Sequence, residues 1–385
     1  MKYSNFEVKS GRGKWFKYIA VLAITIVLIT GGLLAVNYKN FGNLVKVVAL
    51  VKSQYLYPVE STRLLDGAMK GIVNALDDPY SVYLEPKTFS QLQEQIRGSF
   101  GGLGILVGVK EERLTVVRAY AGTPAAKAGI TAGDVIAGIN GSDAGGLDLE
   151  TAISLMRGPV GSTINLTVDR RGEPGPLHFN IVREEINVPT VEGRLLPDSN
   201  IGYIVIGQFT ERTAGEMKEA LATLQGKLVK GIILDIRDNP GGDLAAAVNV
   251  AKNFVPKGPI VYIDYRTGRD QELSANGQTF GAPLVVLING GSASASEILA
   301  GAIKDTGAGT LVGAKTFGKG IVQTLFPLDN GAGLKLTTAR YLTPNKNDIH
   351  QKGIEPDIPV QQAEDRARDV QLERAVELMK HKIAG

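Results

Sequence analysis

The sequence predicts an α/β core standing behind a β-rich domain, a helical segment and an apolar N-terminal helix. Three observations predict it. Residues 18–38 carry no charge, residues 97–186 hold short β-rich runs between Gly and Pro turns, and from about 199 the chain repeats apolar strand, Gly-rich turn and helix. A length of 385 residues suits two or three domains, and 44% apolar with 21% charged residues is ordinary globular composition. The 47 glycines are spread along the chain, which argues for many tight turns and against collagen-like repetition. With 42 basic against 39 acidic residues the net charge is only +3, so a polybasic nucleic-acid surface is not expected. The absence of Cys excludes disulfides, thiolate metal sites and a Cys nucleophile; with His only at 178, 350 and 381, no metal centre is expected either.

The charge-free run 18–38 is close to the ~20 residues a helix needs to cross a bilayer. Lys2, Lys9, Arg12, Lys14 and Lys17 precede it against Glu7 alone. That bias predicts a cytoplasmic segment over 1–17, a transmembrane helix over 18–38, and an extracytoplasmic position for the remainder, so a single-pass membrane protein. A cleaved signal peptide is the alternative; against it, the run exceeds a usual signal core and Leu34-Ala35-Val36 is a poor cleavage site.

Residues 40–95 read as a helical arm, because Val45, Val48 and Val51, then Leu65, Met69, Ile72 and Leu76, recur at three- and four-residue spacings until Asp77-Asp78-Pro79. Packing or self-association of the chain is the ordinary role for such an arm. Within 97–186, Leu114–Val117 and Thr163–Val168 read as strands, and Leu149–Met156 as a helix capped by Asp148. The core, 187–362, shows Ile232–Ile236 running into Asn239-Pro240-Gly241-Gly242 and a helix Leu244–Phe254. Leu284–Ile288 then runs into Asn289-Gly290-Gly291 and a helix through Ile303. Such continuous apolar strands, each followed by a helix, indicate a parallel sheet covered on both faces. The last segment, 363–385, reads as an amphipathic helix.

Two constellations carry chemistry. Gly101-Gly102-Leu103-Gly104-Ile105, followed by Ala121-Gly122-Thr123-Pro124-Ala125-Ala126 and Gly129 to Ile136, resembles a PDZ domain. A Gly-rich loop lets successive N–H groups converge on a terminal carboxylate while an extended ligand adds to a sheet edge. Gly102, Leu103, Gly104 and Ile105 are the expected tail-binding residues, with Leu103, Ile105 and Ile153 lining an apolar pocket. The second constellation is Ser292-Ala293-Ser294-Ala295-Ser296-Glu297 at a strand-to-helix turn, where orphan N–H groups favour an anion. Any one of these serines alone would serve as a helix cap. Thr316-Phe317-Gly318-Lys319-Gly320 sets a Gly-flanked Lys before the next strand, where enclosure would bring its pKa down from ~10.4 and make it a base.

Together these blocks and their order resemble the carboxy-terminal processing, or tail-specific, serine proteases, over roughly residues 40–362. The resemblance implies a crotonase-like or ClpP-like protease core with an inserted PDZ domain, a helical arm and no cofactor. It implies Ser294 as nucleophile, Lys319 as general base, Gln323 orienting the amine, and the N–H groups of Gly242 and Ala295 as oxyanion hole. Arg157 is implied as a regulatory residue coupling tail binding to the active site; neutralising its own helix C-terminus is the plainer alternative. Expected partners are protein substrates with apolar C-terminal tails, the membrane, and a second copy through the arm. Pro240 stands where some relatives have Gly and donates no N–H, so the hole must use Gly241 or Gly242. An inactive PDZ scaffold and a crotonase-type acyl-CoA enzyme are the other readings; retention of Ser294 and Lys319 speaks against the first, the inserted domain and outside location against the second.

Overall fold

The computed structural model describes residues 40–266, 268, 270–362 and 368–384. The segment 18–38 and the start of the expected C-terminal segment 363–385 therefore lie outside the described residues. Among the described residues no helix is long and apolar enough to cross a membrane. The chain divides into two units, 1–77 and 78–385.

In the first unit the chain is helical over 40–54 and again over Ser61–Asn74. Both helices leave apolar side chains uncovered, among them Phe41, Val45, Leu65 and Ile72.

The second unit begins with a departure from the expected helical arm. After Asp77-Asp78-Pro79 the chain forms a strand, Val82–Leu84, antiparallel to Gly333–Leu342, and only then the helix Pro86–Arg97. Val82-Tyr83-Leu84 has strand-forming side chains, and Ser81 Oγ accepts the Thr337 N–H at 3.0 Å to fix the start of the pairing. Val82–Leu84 thus belongs to the core's second sheet.

The β-rich part runs through Ile105–Lys110, Arg113–Ala119, Val135–Ile139, Thr163–Asp169 and Leu177–Val182, each antiparallel to the next, with Ile105–Lys110 at a free edge. Leu103, Val116, Ile136, Ile164 and Leu166 fill its centre. The helix Leu149–Met156 starts at Asp148, whose carboxylate accepts the Thr151 N–H at 2.9 Å. A second, short helix, Pro124–Ala128, occupies the Thr-Pro-Ala-Ala motif.

The core is a six-stranded sheet in the order Val191–Leu195, Ile201–Ile206, Gly231–Asp235, Leu284–Ile288, Thr310–Gly313, Ile358–Pro359, parallel apart from the first strand. Alternate residues divide its faces. Ile232 and Leu234 pack under the helices Thr213–Gln225, Leu244–Ala251 and Ala295–Asp305, while Ile233, Val285, Leu287 and Val312 pack under Ala375 and Met379 of the C-terminal helix Val370–Ala384. That helix is tied down at its start, where Arg237 pairs with Asp235 at 2.6 Å and with Asp369 at 2.7 Å. A second, antiparallel sheet centres on Gly333–Leu342, flanked by Val82–Leu84, Ile321–Pro327 and Gly258–Tyr265. The two sheets meet where the Gly-rich turns emerge.

Candidate active site

Gly231–Asp235 and Leu284–Ile288 are adjacent parallel strands, so the turns that follow them emerge side by side. They are fastened reciprocally. Asn289 Oδ1 accepts the Asp238 N–H and Asn289 Nδ2 donates to Asp238 Oδ1, both at 2.9 Å. Asn239, fully buried, continues the join: its amide nitrogen donates to the Ile206 carbonyl at 2.8 Å and its carbonyl oxygen accepts the Ala293 N–H at 3.0 Å.

This scaffold separates the three serines. Ser292 is buried, donates to the Ile236 carbonyl at 2.8 Å and accepts the Asn289 N–H at 3.0 Å. Ser296 is buried and donates to the Asn239 carbonyl at 2.9 Å. Ser294 is half-buried and lines a cavity of about 540 Å³ together with Lys319, Gln323 and Tyr341. Its backbone has φ 53° and ψ −113°, a conformation that costs an L-residue roughly 1–3 kcal/mol and persists only when the surroundings over-determine it. They do. The Ser294 N–H donates to Glu297 Oε2 at 2.9 Å, and its carbonyl accepts the N–H groups of Glu297 and Ile298 and the Tyr341 hydroxyl at 3.0 Å.

Glu297 holds the Lys loop as well. Fully buried, its Oε1 accepts Thr316 Oγ1 at 2.6 Å and the Gly318 N–H at 2.7 Å, while Oε2 also accepts the Lys319 N–H at 2.8 Å. One carboxylate thus receives four donors from both sides of the site. Tyr341 repeats the link, its hydroxyl lying between the carbonyls of Ser294 and Lys319. Burial and the nearby Glu297 carboxylate hold the Tyr341 phenol well above its ordinary pKa, so it remains a hydrogen-bond donor. The sequence reading assigned no part to either residue, although Glu297 closes a Ser-x-x-Glu capping signature that could have pointed to it.

Lys319 is half-buried. Desolvation first, then the like charge of Lys335, lower its pKa, against the opposing pull of Asp78 and Glu297. Its ammonium lies 5.0 Å from the centre of the Tyr80 ring and makes no hydrogen bond among the described residues. Gln323 stands on the strand that follows, in the same cavity, with its Nε2 buried and unpaired among the described residues. His178, by contrast, is on the β-rich sheet and contacts Thr167 Oγ1 at 3.1 Å.

After Pro240 the turn offers the N–H groups of Gly241 and Gly242. That of Gly241 donates to Asn239 Oδ1 at 2.9 Å, whereas those of Gly242 and Ala295 have no partner among the described residues. Both glycines are required for the approach: a Cβ at Gly241 would meet Ala295 N at 2.8 Å, and one at Gly242 would meet the Phe209 carbonyl at 1.9 Å.

In the β-rich domain, Gly102 ends a short strand, Ser99–Gly102, paired with Glu184–Asn187. The Gly104 carbonyl accepts the Tyr120 N–H at 3.0 Å and Thr123 Oγ1 at 3.1 Å, which fixes the loop. Ile105 and Ile153 are half-buried beside the free edge, but Leu103 is a core residue with 3% exposure and does not line the expected pocket. Arg157 is also clarified. The C-terminal carbonyls of its helix, Leu155 and Met156, accept from the buried guanidinium of Arg183, each at 3.0 Å. Arg157 is the C-cap residue, its N–H donating to the Ile153 carbonyl at 3.0 Å, but the side-chain donors to the helix carbonyls come from Arg183. The Arg157 guanidinium lies 4.1 Å above the Phe100 ring and lines a cavity of about 710 Å³ between this domain and the core.

Residues 200–360 match Peptidase family S41, residues 115–170 a PDZ domain, and residues 33–88 the N-terminal domain of the activating protease CtpB. A carboxy-terminal-processing protease of Bartonella bacilliformis is 40% identical over 333 residues, covering 85% of this chain and 76% of that protein. The chain belongs to the carboxy-terminal-processing serine proteases of family S41. The carboxy-terminal processing protease CtpB of Bacillus subtilis is 38% identical over 328 residues, covering 84% of this chain and 68% of that protein. Among solved structures, the photosystem II D1 C-terminal processing protease superposes with a TM-score of 0.51 at 32% identity, covering 84% of this chain and 88% of that one. In this S41 protease the region around Ser294 depends on Tyr341 as well as Glu297. Replacing Tyr341 by Phe keeps the ring and removes one shared hydrogen bond, so an unfolding titration is expected to show a loss of about 1–3 kcal/mol. An unchanged midpoint would show that the hydroxyl contributes nothing to holding the turn.

Proposed function

We propose that the chain is a membrane-anchored, extracytoplasmic endopeptidase that recognises C-terminal tails through its PDZ domain and hydrolyses peptide bonds with a Ser294–Lys319 dyad. The observation that carries the chemistry is the division among the serines: the hydroxyls of Ser292 and Ser296 are spent on backbone carbonyls, and Ser294 alone of the three shares a cavity with Lys319. In the reaction neutral Lys319 takes the proton of Ser294 Oγ as the oxygen attacks the peptide carbonyl. The oxyanion is received by the free N–H groups of Gly242 and Ala295. Lys319, now protonated, gives its proton to the leaving amine, and water later releases the acyl group by the same base. Gln323 orients the Lys319 amine. A tail adds to the edge strand Ile105–Lys110, its carboxylate received by the Gly102–Ile105 loop. Arg157, whose guanidinium lies over Phe100 in the cavity between PDZ domain and core, couples tail occupancy to the active site. The exposed apolar side chains of the helices over 40–74 support self-association of the chain.

Ser294→Ala or Lys319→Ala is expected to abolish proteolysis, whereas Ser292→Ala should keep measurable turnover despite a loss of stability. Because the base acts neutral, kcat/KM should rise with pH on a single limb. Its midpoint should lie below the ordinary lysine value, since burial and Lys335 disfavour the charged form. Turnover by Ser294→Ala, or a limb abolished by replacing His350, would overturn the assignment.

The anchoring is tested separately. Protease added on the cytoplasmic side is expected to leave residues 40–385 intact on the membrane. A soluble mature chain starting near residue 36 would show a cleaved signal instead.

A further inference from the structure

Lys335 transfers no proton in the chemistry above and acts there only through its charge on Lys319, yet it lines two cavities at once. It faces the Ser294 pocket and also the cavity under Phe100 and Arg157; the two share Leu92, Gln95, Gln208 and Lys335. Together they line a stretch from Ser294 to Ser99, Phe100 and Arg157 at the foot of the PDZ domain. Lys335 is half-buried and makes no ion pair or hydrogen bond among the described residues, so its charge faces that stretch uncompensated. The strand register adds a neighbour. Lys335 is opposite Leu325, and Gln323 is opposite Thr337, so Gln323 and Lys335 lie diagonally on one face of the sheet. Diagonal positions are roughly 7–8 Å apart, within reach of long side chains. The Gln323 Nε2, buried, is a second donor without an acceptor among the described residues. Of the acids along that stretch, Asp243 is committed to the Ala246 N–H at 2.7 Å, and Glu94, on the helix Pro86–Arg97, forms no ion pair with Lys335.

We propose that Lys335, with the Gln323 amide, forms a carboxylate-accepting subsite that selects substrates carrying Asp or Glu between the scissile bond and the tail. The side of the bond follows from the tail reading: with the C-terminus held by the PDZ domain, the residues between tail and cleaved bond are those C-terminal to that bond, and Lys335 stands between Ser294 and Arg157. A partly desolvated ammonium unpaired in the free protein gains a charge-assisted partner from an acidic side chain and only a neutral one from the amide isostere. This proposal rests on the reading that Ser294 cleaves tailed substrates.

The test uses full-length Ser294→Ala protein and fluorescent peptides with one apolar tail, in which Glu or Gln is placed at successive positions C-terminal to the cleaved bond. At one or two positions the Glu peptide is expected to bind about tenfold more tightly than the Gln peptide, a difference of about 1.4 kcal/mol. Lys335→Gln should bring that ratio to about one and Lys335→Arg should retain it. No preference at any position, an unchanged ratio in Lys335→Gln, or equal loss of both peptides would overturn the subsite. Cleavage of neither peptide by the parent chain would instead sink the endopeptidase reading.

Discussion

The site depends on the carboxylate of Glu297. A buried charge is costly unless its lone pairs are filled, and this one takes the N–H groups of Ser294, Gly318 and Lys319 and the hydroxyl of Thr316. Three of those donors are backbone, so what Glu297 fixes is the position of two chain segments. It holds Ser294 at its positive φ and sets the Lys319 loop against the same carboxyl group. Because the helix Ala295–Asp305 begins here, the same contact also orients the free N–H of Ala295.

The parallel sheet supplies the second constraint. Adjacent strands bring the Asp238–Gly242 turn beside Asn289–Ser294, and Asn239, Asn289 and Asp238 fasten them through side chain and backbone. The second sheet adds Gln323, Lys335 and Tyr341, the loop leading into it adds Lys319, and the segment before the short strand Val82–Leu84 brings Asp78 and Tyr80 to the base. The charge balance around Lys319 is thus set by residues far apart in the chain: Lys335 disfavours its protonated form, while Asp78 and Glu297 favour it.

Much of this was legible in the sequence where the signal is local. The apolar strands ending in Gly-rich turns, the Asp148 cap and the Gly-flanked Lys319 each occupy a short stretch whose residue types state their geometry. Long-range placement was not. Val82–Leu84 reads as a weak continuation of the helices because its partner strand is about 250 residues away, and nothing in Leu155–Arg157 says that Arg183 takes the helix carbonyls. The three serines are equivalent as a string and become distinct only when the Ile236 and Asn239 carbonyls occupy two of them. Leu103, apolar in a binding motif, proved to be core because a single residue can serve either side of a thin domain.

The most direct test is labelling by a small serine-acylating reagent, with the modified residue located by mass spectrometry in the parent chain and in Glu297→Gln. Glu297→Gln replaces one acceptor oxygen by an amide NH2, a donor that cannot receive the N–H groups aimed at it. The account predicts modification at Ser294 in the parent and labelling slowed by at least about tenfold in the variant, since misplaced catalytic groups cost rate steeply. Modification at Ser292 or Ser296, or labelling of Ser294 at the parent rate in Glu297→Gln, would contradict it.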